Sequence, residues 1–157
     1  MRRADASKYN VDKDTAKRTY DGIVFASVME MRYYRDVVLP MMGSGELKAY
    51  ELQKVYVLQP SFVNANGKKV SAITYVADFY LEYADGRIEV VDTKGCPDAT
   101  AKLKRKMFWY VYPNLPYFWR CYSKIDGGWC EYEFVNTQRK IRKKLKQEAK
   151  EKNNEHA

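Results

Sequence analysis

The sequence predicts a mixed α/β domain in which helices pack on a central sheet. Segments with helical spacing and segments with strand-like alternation follow one another in the order helix, three strands, helix, two strands and a basic helix. The length of 157 residues suits one domain, and 46% hydrophobic residues can supply a core for it. Because the sequence also contains no internal repeat, we expect a layered α/β fold.

Positive charge is concentrated near the end of the sequence. The formal net charge is +8, and residues 139–157 contain eight Lys or Arg against three Glu. Phosphate groups release counterions when Lys or Arg neutralise them, so such a segment favours a polyanionic partner. We expect nucleic acid first and an acidic membrane surface second.

Cysteine usage and hydropathy predict the setting of the protein. The three cysteines are odd in number and lack the C-x-x-C spacing of a zinc site, so we expect neither a disulfide framework nor structural zinc. No apolar run reaches membrane-spanning length, and the polar start is unlike a signal peptide. We therefore expect a cytoplasmic protein that does not enter a membrane.

The first part of the chain predicts a mobile arm followed by a helix. Residues 1–20 are polar and dotted with Lys and Arg, as is typical of an arm. The stretch FASVMEMRYYRDVVLPMM then has helical spacing, with Ser27 as its cap and Glu30 three residues further on, and Pro40 with Gly43 is expected to mark its end.

The middle of the chain predicts three strands. The segment LKAYELQKVYVLQPSF is rich in Tyr, Val and Leu, and we expect this strand to end near Pro60. NANGKK is a turn signal, and it leads into two strand-like runs joined at Asp85-Gly86. These two runs predict a hairpin.

Two turns fit this hairpin, and they place its acids differently. A two-residue loop puts Asp78 opposite Thr93 and leaves Asp92 on the reverse face. A three-residue loop with Gly86 in the left-handed bulge position puts Asp78 opposite Asp92, so both carboxylates share one face with Lys94. The local sequence fits either turn.

A second helix follows the hairpin. The stretch DATAKLKRKMFWYVYP has helical spacing and ends before Pro113. Its expected apolar positions are Leu103, Met107, Tyr110 and Val111.

A strand pair and a charged helix complete the chain. The runs YFWRCYS and WCEYEFV predict the strands, and Asn136 or Thr137 is expected to cap the helix. The predicted division is an N-terminal arm (1–20), a folded domain (21–136) and a basic C-terminal helix (137–157).

The acids of the hairpin predict chemistry if they are cross-strand neighbours. Asp78 and Asp92 would then repel each other by about 4 kcal/mol at roughly 4 Å and an effective dielectric constant of about 20. A divalent cation removes this cost, and Mg²⁺ or Mn²⁺ prefers carboxylate oxygens. Lys94 would stabilise charge on a phosphate or hold an attacking water. No Ser-His or Cys-His pair competes strongly, because the only histidine, His156, is next to the last residue.

The same residues carry a family resemblance. YVADFYLEYADGRIEVVDTKG resembles the split signature of PD-(D/E)XK phosphodiesterases, in which an acid ends one strand and an acid-x-lysine triplet lies on the next. YDGIVFASVMEMRYY resembles the first helix of that superfamily. More narrowly, the ordered motifs DGIVFAS, LQ, YVADF, DTKG and KLKRKMF resemble a phage-associated family of small endonuclease-like proteins, DUF1064, over about residues 8–113.

The resemblance implies a restriction-endonuclease-like core, with a helix, a three-strand meander, a helix and a strand pair, and Mg²⁺-dependent cleavage of DNA. It implies that Asp78 and Asp92 are metal ligands, that Lys94 is the electrostatic catalyst and that Glu30 binds metal directly or through water. It also favours the three-residue turn. Ala77 stands where the signature has proline, and Asp92 stands where branched-DNA resolvases usually have Glu, which weakens the inference to that subgroup.

Several of these residues also have a simpler interpretation. Glu30 fits a capping box in which it bonds back to the Ser27 amide. Asp92 and Lys94 on their own are typical of a solvated strand end. Gln53 matches a glutamine of the narrower family and would contact DNA or metal-bound water, or it only satisfies its hydrogen bonds within a strand.

Basic residues in two helices, together with Gln53, form the predicted nucleic-acid-binding set. They are Lys102, Lys104 and Lys106 in the second helix and Arg139, Lys140, Lys143 and Lys144 in the last helix. Plain solvation is the alternative for the second helix, and a solubilising tail is the alternative for the last. Ile141, Leu145 and Ala149 recur every four residues and predict a narrow apolar stripe that packs on the body or on a second subunit.

The sequence thus predicts a Mg²⁺-dependent endonuclease, with Mn²⁺ as a substitute, that acts on branched or recombination-intermediate DNA in the manner of a Holliday-junction resolvase. A homodimer is expected, because cutting a symmetric junction on two strands calls for two active sites. The alternatives are a DNA-binding protein that keeps the fold without cutting, and a nuclease directed to linear duplex by sequence or by a partner.

Overall fold

A computed structural model describes residues 14–155, and the predicted arm lies in part outside this range. Thr15–Arg18, which the prediction assigned to the arm, instead forms a 3₁₀ turn. It leads into strand β1 (Thr19–Tyr20), which pairs antiparallel with strand β2 (Ile23–Val24). The side chain of Arg18 also donates to the carbonyl of Phe25, so these residues belong to the folded body.

The first helix is longer than predicted and contains a π-helical turn. Its three consecutive segments are α1 (Val28–Tyr33), the π-helical turn (Tyr34–Val38) and α2 (Leu39–Ser44). Ser27 caps it as predicted, because the Glu30 N–H donates to Ser27 Oγ at 3.1 Å. Pro40 does not end the helix, since it lies at the start of α2, where a helix tolerates proline. Gly45, with φ 79°, ends the helix in the left-handed conformation.

Five strands build the main sheet, and α3 crosses from one of them to the next. The remaining elements are β3 (Leu47–Gln59), β4 (Phe62–Val63), β5 (Lys69–Val70), β6 (Ile73–Tyr83), β7 (Ile88–Thr93), α3 (Ala99–Val111), β8 (Tyr117–Ser123), β9 (Gly128–Glu131) and α4 (Tyr132–Glu155). The sheet order is β3-β6-β7-β8-β9, and only β7 and β8 are parallel. A parallel pair needs a crossover, which α3 supplies. The mixed α/β prediction is confirmed, as is the end of β3 before Pro60.

The β6–β7 hairpin has the three-residue loop. The Tyr83 N–H donates to the Arg87 carbonyl at 2.9 Å, and the loop glycine, Gly86, has φ 87°. The ladder runs from Glu82 opposite Ile88 to Phe79 opposite Val91. The next position in this register places Asp78 opposite Asp92.

Two hydrophobic clusters show that the β3–β6 ribbon twists sharply beside this position. Phe79 and Leu81 pack with the first helix in one cluster, whereas Tyr75 and Ala77 pack with Phe108 of α3 in the other. Alternate residues of a flat strand face the same side of its sheet. The two halves of β6 therefore face opposite layers, and the change occurs at the one residue between them, Asp78.

The second helix packs through a face that the prediction missed. Phe108 is fully buried, whereas Leu103 and Tyr110 are 59% and 88% exposed. Lys104 lies on the inner face and donates from Nζ to the Thr74 carbonyl at 2.9 Å. Arg105 also turns inward, so long basic side chains cover apolar surface at positions that read as polar in the sequence.

The last helix begins at Tyr132, so neither Asn136 nor Thr137 is its cap. Thr137 instead lies within the helix and donates from its hydroxyl to the Glu133 carbonyl. Val135 is fully buried and anchors the first turn on the sheet. The predicted extended run WCEYEFV ends after Glu131, and its last four residues form the first turn of the helix instead.

Beyond Arg142 the last helix is exposed to solvent. Arg142 makes a two-pronged ion pair with Asp126, with N–O distances of 2.7 and 3.0 Å. Ile141 and Leu145 are 46% and 59% exposed, so the apolar stripe does not pack on the body of this chain. Among the described helices none is long and apolar enough to cross a membrane.

The loop that sets the hairpin register yields a stability prediction. Gly86→Ala is expected to lower the free energy of unfolding by about 1 kcal/mol, because an alanine is strained at φ 87° even though its Cβ meets no atom. Gly43→Ala is the matched control, since Gly43 lies in α2 with ordinary φ and open space, and helix propensity favours alanine there. Urea unfolding measures both; equal stability of Gly86→Ala and the native chain would contradict the assigned turn.

Candidate active site

Two carboxylates replace backbone acceptors where β6 and β7 diverge. The Asp78 N–H donates to Asp92 Oδ1 at 3.0 Å, and the Thr93 N–H donates to Asp78 Oδ2 at 2.8 Å. The Thr93 hydroxyl donates to the same Asp78 oxygen at 3.1 Å. Buried N–H groups need acceptors, so these bonds hold the two acids across the gap in the ladder.

Gln53 lies on β3, the edge strand of the main sheet, beside Asp78. Because Leu52 pairs with Phe79 and Lys54 with Ala77, Gln53 lies opposite Asp78. Gln53 has φ 55°, which is unusual for a residue other than glycine. Its side-chain amide donates to Glu30 Oε2 at 3.3 Å, so the strand and the first helix meet at this point.

Glu30 is both a cap partner and a member of the acid cluster. Its Oε1 accepts from the Ser27 hydroxyl at 3.3 Å, and the backbone of Ala26 supplies a further bond in place of the Ser27 amide that a capping box predicts. Burial raises the pKa of Glu30, the bonds from Ser27 and Ala26 oppose this, and the charge of Asp92 adds to the rise. Glu30 therefore bonds to the residue that caps its own helix and also lies close enough to Asp92 to be affected by its charge.

Lys94 is the cation of the cluster. Its side-chain Nζ lies 3.0 Å from Asp92 Oδ2. Its backbone N–H donates to the Arg120 carbonyl at 2.8 Å, and this bond fixes the backbone of Lys94 beside β8. Burial alone would lower the pKa of Lys94, but the negative charges of Asp92, Asp78 and Glu30 raise it above its ordinary value. Lys94 therefore stays protonated at neutral pH.

The cluster has more acids than bases. Burial raises the pKa of Asp78 well above its ordinary value, and repulsion from Asp92 and Glu30 raises it further, against the opposing effects of the Thr93 amide and Lys94. Within residues 14–155, no three or more His, Cys, Asp or Glu side chains form a group able to hold a metal ion. A cation here would need ligands from outside the chain, as Mg²⁺ does when it keeps waters and phosphate oxygens.

A groove of about 350 Å³ opens onto Asp92 and Lys94. Its walls are the first half of β6, at Thr74 and Val76, and the start of α3. This space exists because β7 leaves β6 at Asp78 and continues alongside β8 instead.

The structure divides the predicted nucleic-acid-binding residues. Lys104 lines the groove, whereas Lys102 and Lys106 point to solvent. Arg139 donates to the carbonyl of Gly95, the residue after Lys94, at 3.4 Å, so α4 passes beside the site. The other predicted basic residues of α4 are exposed along the helix: Lys140, Lys143 and Lys144.

The prediction missed a set of aromatic residues that contact Asp92. Trp119 Nε1 donates to Tyr117 Oη at 2.7 Å, and Tyr117 Oη lies 2.7 Å from Tyr75 Oη and 3.3 Å from Asp92 Oδ2. Tyr75, Tyr117 and Trp119 lie in strand-like runs, and the local sequence does not distinguish them from ordinary core residues. The signal that finds them is the parallel register of β7 and β8, which places Trp119 beside Asp92 and which local patterns do not reveal.

Comparison with known proteins adds a family to this geometry. A search of curated proteins finds no match to the chain. Residues 6–126 match the family model described as "Protein of unknown function (DUF1064)". The match covers the first helix, the hairpin with its two acids and lysine, and α3, and it ends before α4. The chain therefore belongs to the DUF1064 family.

Proposed function

We propose that this protein is a Mg²⁺- or Mn²⁺-dependent endonuclease that hydrolyses phosphodiester bonds in DNA. The observation that carries the proposal is the register of β6 and β7, which pairs Asp78 with Asp92 at the point where the strands diverge, with Lys94 3.0 Å from Asp92. The acid, acid-x-lysine and helical-acid order resembles PD-(D/E)XK phosphodiesterases. On this proposal the sheet with its first helix and α3 is a restriction-endonuclease-like core.

The donor set fits a divalent cation. Asp78 and Asp92 would hold it, with Glu30 as a further acid that acts directly or through water. The fit rests on Asp78 and Asp92, two carboxylates held across the gap between β6 and β7, because Mg²⁺ is commonly bound by one or two carboxylates and takes its other ligands from water and phosphate oxygens. Repulsion from Asp92 and Glu30 also raises the pKa of Asp78. When bound, such a cation supplies Lewis-acid stabilisation to a phosphate.

The side chains of the site have distinct roles on this proposal. Lys94 is protonated, so it acts by stabilising negative charge on the phosphate or by holding the attacking water, and not as a general base. Gln53 orients the Glu30 carboxylate through its amide. Lys104 and the walls of the groove border the path of the DNA strand toward Lys94.

The basic last helix supports DNA as the substrate. Arg139 ties this helix to the loop after Lys94, and its exposed lysines continue away from the body, where they reach phosphates. Branched or recombination-intermediate DNA is the proposed substrate class, with phage-encoded action in the host cytoplasm. The exposed Ile141 and Leu145 support a homodimer, because they leave the apolar stripe free for a second subunit.

One observation favours a second candidate, a DNA-binding protein that does not cut. The Lys94 ammonium already pairs with Asp92 Oδ2, so this carboxylate has a positively charged partner without a metal ion. On this alternative the basic residues of α3 and α4 bind phosphates and the acids only complete the sheet.

A cleavage assay separates the two candidates. Labelled four-way junction, flap and linear duplex are each incubated with the protein in Mg²⁺, in Mn²⁺ and in EDTA. The native chain is expected to cut the branched substrates, and Asp92→Asn and Lys94→Ala are expected to lose about 100-fold or more in rate while still binding DNA.

Lys48→Ala and Asp85→Asn are the matched controls for these two changes. Each removes a charge from an exposed ion pair, with Glu82 and with Arg87 respectively, and both variants are expected to cut normally. Binding without cleavage in either metal would support the non-catalytic candidate. If the native protein cuts linear duplex at defined sites, linear duplex and not branched DNA is the substrate class.

A second test measures the repulsion within the acid cluster. In metal-free buffer, Asp78→Asn is expected to raise the free energy of unfolding at neutral pH by on the order of 1 kcal/mol, because it removes a buried charge that faces Asp92 and Glu30. The folded-state pKa of Asp78 lies above its unfolded value, so the native chain binds a proton more tightly when folded. Its stability therefore falls as pH rises through that pKa, and the variant lacks this loss.

Urea unfolding between about pH 4 and pH 8, with and without Mg²⁺, measures both the gain in stability of the variant and the fall in stability of the native chain with rising pH. Mg²⁺ at about 100 times its dissociation constant should stabilise the native chain by about 2.7 kcal/mol and the variant by much less. Asp85→Asn is the control, since Arg87 lowers the pKa of Asp85 and reverses the sign of its effect. The same dependence of stability on pH in Asp78→Asn and in the native chain would show that the acids do not repel each other.

A further inference from the structure

A buried hydrogen-bonded group of aromatic residues contacts Asp92, and two of its members, Tyr75 and Tyr117, also line the groove. We call Tyr75, Tyr117 and Trp119 the aromatic brace. Trp119 donates to Tyr117, and the Tyr117 hydroxyl lies within 3.3 Å of Asp92 Oδ2 and 2.7 Å of the Tyr75 hydroxyl. All three side chains and Asp92 itself are buried, and Asp92 is only 1% exposed.

Counting protons shows how the brace can donate to Asp92. The indole N–H of Trp119 only donates, and it is directed at the Tyr117 oxygen. An ionised carboxylate only accepts, and each phenol has one proton. The Tyr117 hydroxyl has one proton and two possible acceptors, Asp92 and the Tyr75 hydroxyl, so it donates to Asp92 when Tyr75 donates to it.

Packing keeps the members of the brace from turning away. The Tyr117 ring lies 4.7 Å from the Phe108 ring and 5.3 Å from the Tyr75 ring, measured between centroids. The Trp119 ring packs edge-on against Tyr132 of α4 at 5.6 Å. The donors therefore belong to rigid rings from two strands and not to mobile surface side chains.

The brace completes the set of groups that orient Asp92. Oδ1 accepts the Asp78 N–H at 3.0 Å, whereas Oδ2 faces Lys94 at 3.0 Å and the brace. Donors on both oxygens fix the plane of the carboxylate. Carboxylates that bind metals are commonly held by such outer hydrogen bonds, and loss of one typically costs 10- to 100-fold in metal affinity or activity.

We propose that Tyr117, supported by Tyr75 and Trp119, is a positioning residue that holds the Asp92 carboxylate in the orientation in which it binds a divalent cation. This inference rests on the proposed function, because the cation is part of that proposal. On this proposal Tyr117 acts through Asp92, to which its hydroxyl is bonded.

Calorimetric titration of the full chain with Mn²⁺ alone tests the inference without relying on cleavage. Tyr117→Phe is expected to weaken Mn²⁺ binding by about 10- to 100-fold. DNA affinity in EDTA should be unchanged, because the change keeps the ring that lines the groove, and the hydroxyl that it removes is bonded to Asp92, Tyr75 and Trp119. Cleavage by the variant should fall at low Mn²⁺ and recover at high Mn²⁺, which a general loss of structure would not produce.

Tyr112→Phe is the matched control. Tyr112 belongs to the same aromatic cluster and packs 5.1 Å from the Phe108 ring, but its hydroxyl donates to the Val57 carbonyl at 3.0 Å. Its Mn²⁺ affinity should equal that of the native chain. Should Tyr117→Phe fail to fold, Trp119→Phe replaces it, since that change keeps both phenols but frees the Tyr117 hydroxyl to rotate; weaker Mn²⁺ binding is again expected.

The outcomes distinguish this inference from the proposed function. Mn²⁺ affinity within about twofold of the native value in Tyr117→Phe would overturn the inference, even if the native protein cuts DNA. No Mn²⁺ binding by the native protein would overturn it as well. Weaker Mn²⁺ binding by the variant in a protein that cuts no DNA would support the inference and remove the nuclease proposal.

Discussion

The pairing of Asp78 with Asp92 across β6 and β7 is the constraint on which the candidate site depends. Two carboxylates at facing positions repel each other, and burial increases the cost of their charge. The sheet accepts them because each also serves as an acceptor for an N–H that the diverging strands would leave unpaired. The residues that carry the proposed chemistry therefore also complete the fold.

The same divergence gives the site its surroundings. Because β6 changes layers at Asp78, the first helix and α3 lie on opposite sides of the ribbon, and both contribute residues near the two acids. The left-handed conformation of Gln53, opposite Asp78, carries a backbone cost of about 1–3 kcal/mol for a residue other than glycine. Its bond to Glu30 connects the ribbon with the helix that supplies the third acid.

Local sequence signals predict the elements of this fold better than their faces and partners. Turn chemistry around Gly86 narrows the hairpin to two registers, but only the packed sheet selects one of them. The apolar pattern of α3 predicts Leu103 and Tyr110 as inward residues, whereas the helix buries Phe108 with the stems of basic residues because those stems are long enough to lie along the sheet.

Contacts between residues far apart in the sequence are the features that local patterns do not predict. Asp78, Asp92, Lys94 and Glu30 come together as their motif order predicts. The contact of Tyr117 with Asp92 depends on a parallel pair joined by a helical crossover, and no local pattern encodes which strand neighbours which. The start of α4 at Tyr132 likewise lies inside a run whose local pattern predicts a strand, and Val135 of its first turn is buried.

The most direct test of the account is a crystal structure of the protein grown with Mn²⁺ and measured at a wavelength where manganese scatters anomalously. The account predicts one anomalous peak between Asp78 and Asp92, about 2.2 Å from an oxygen of each. An anomalous map with no peak at these carboxylates, and with the Lys94 ammonium still bound to Asp92 at saturating Mn²⁺, would contradict it.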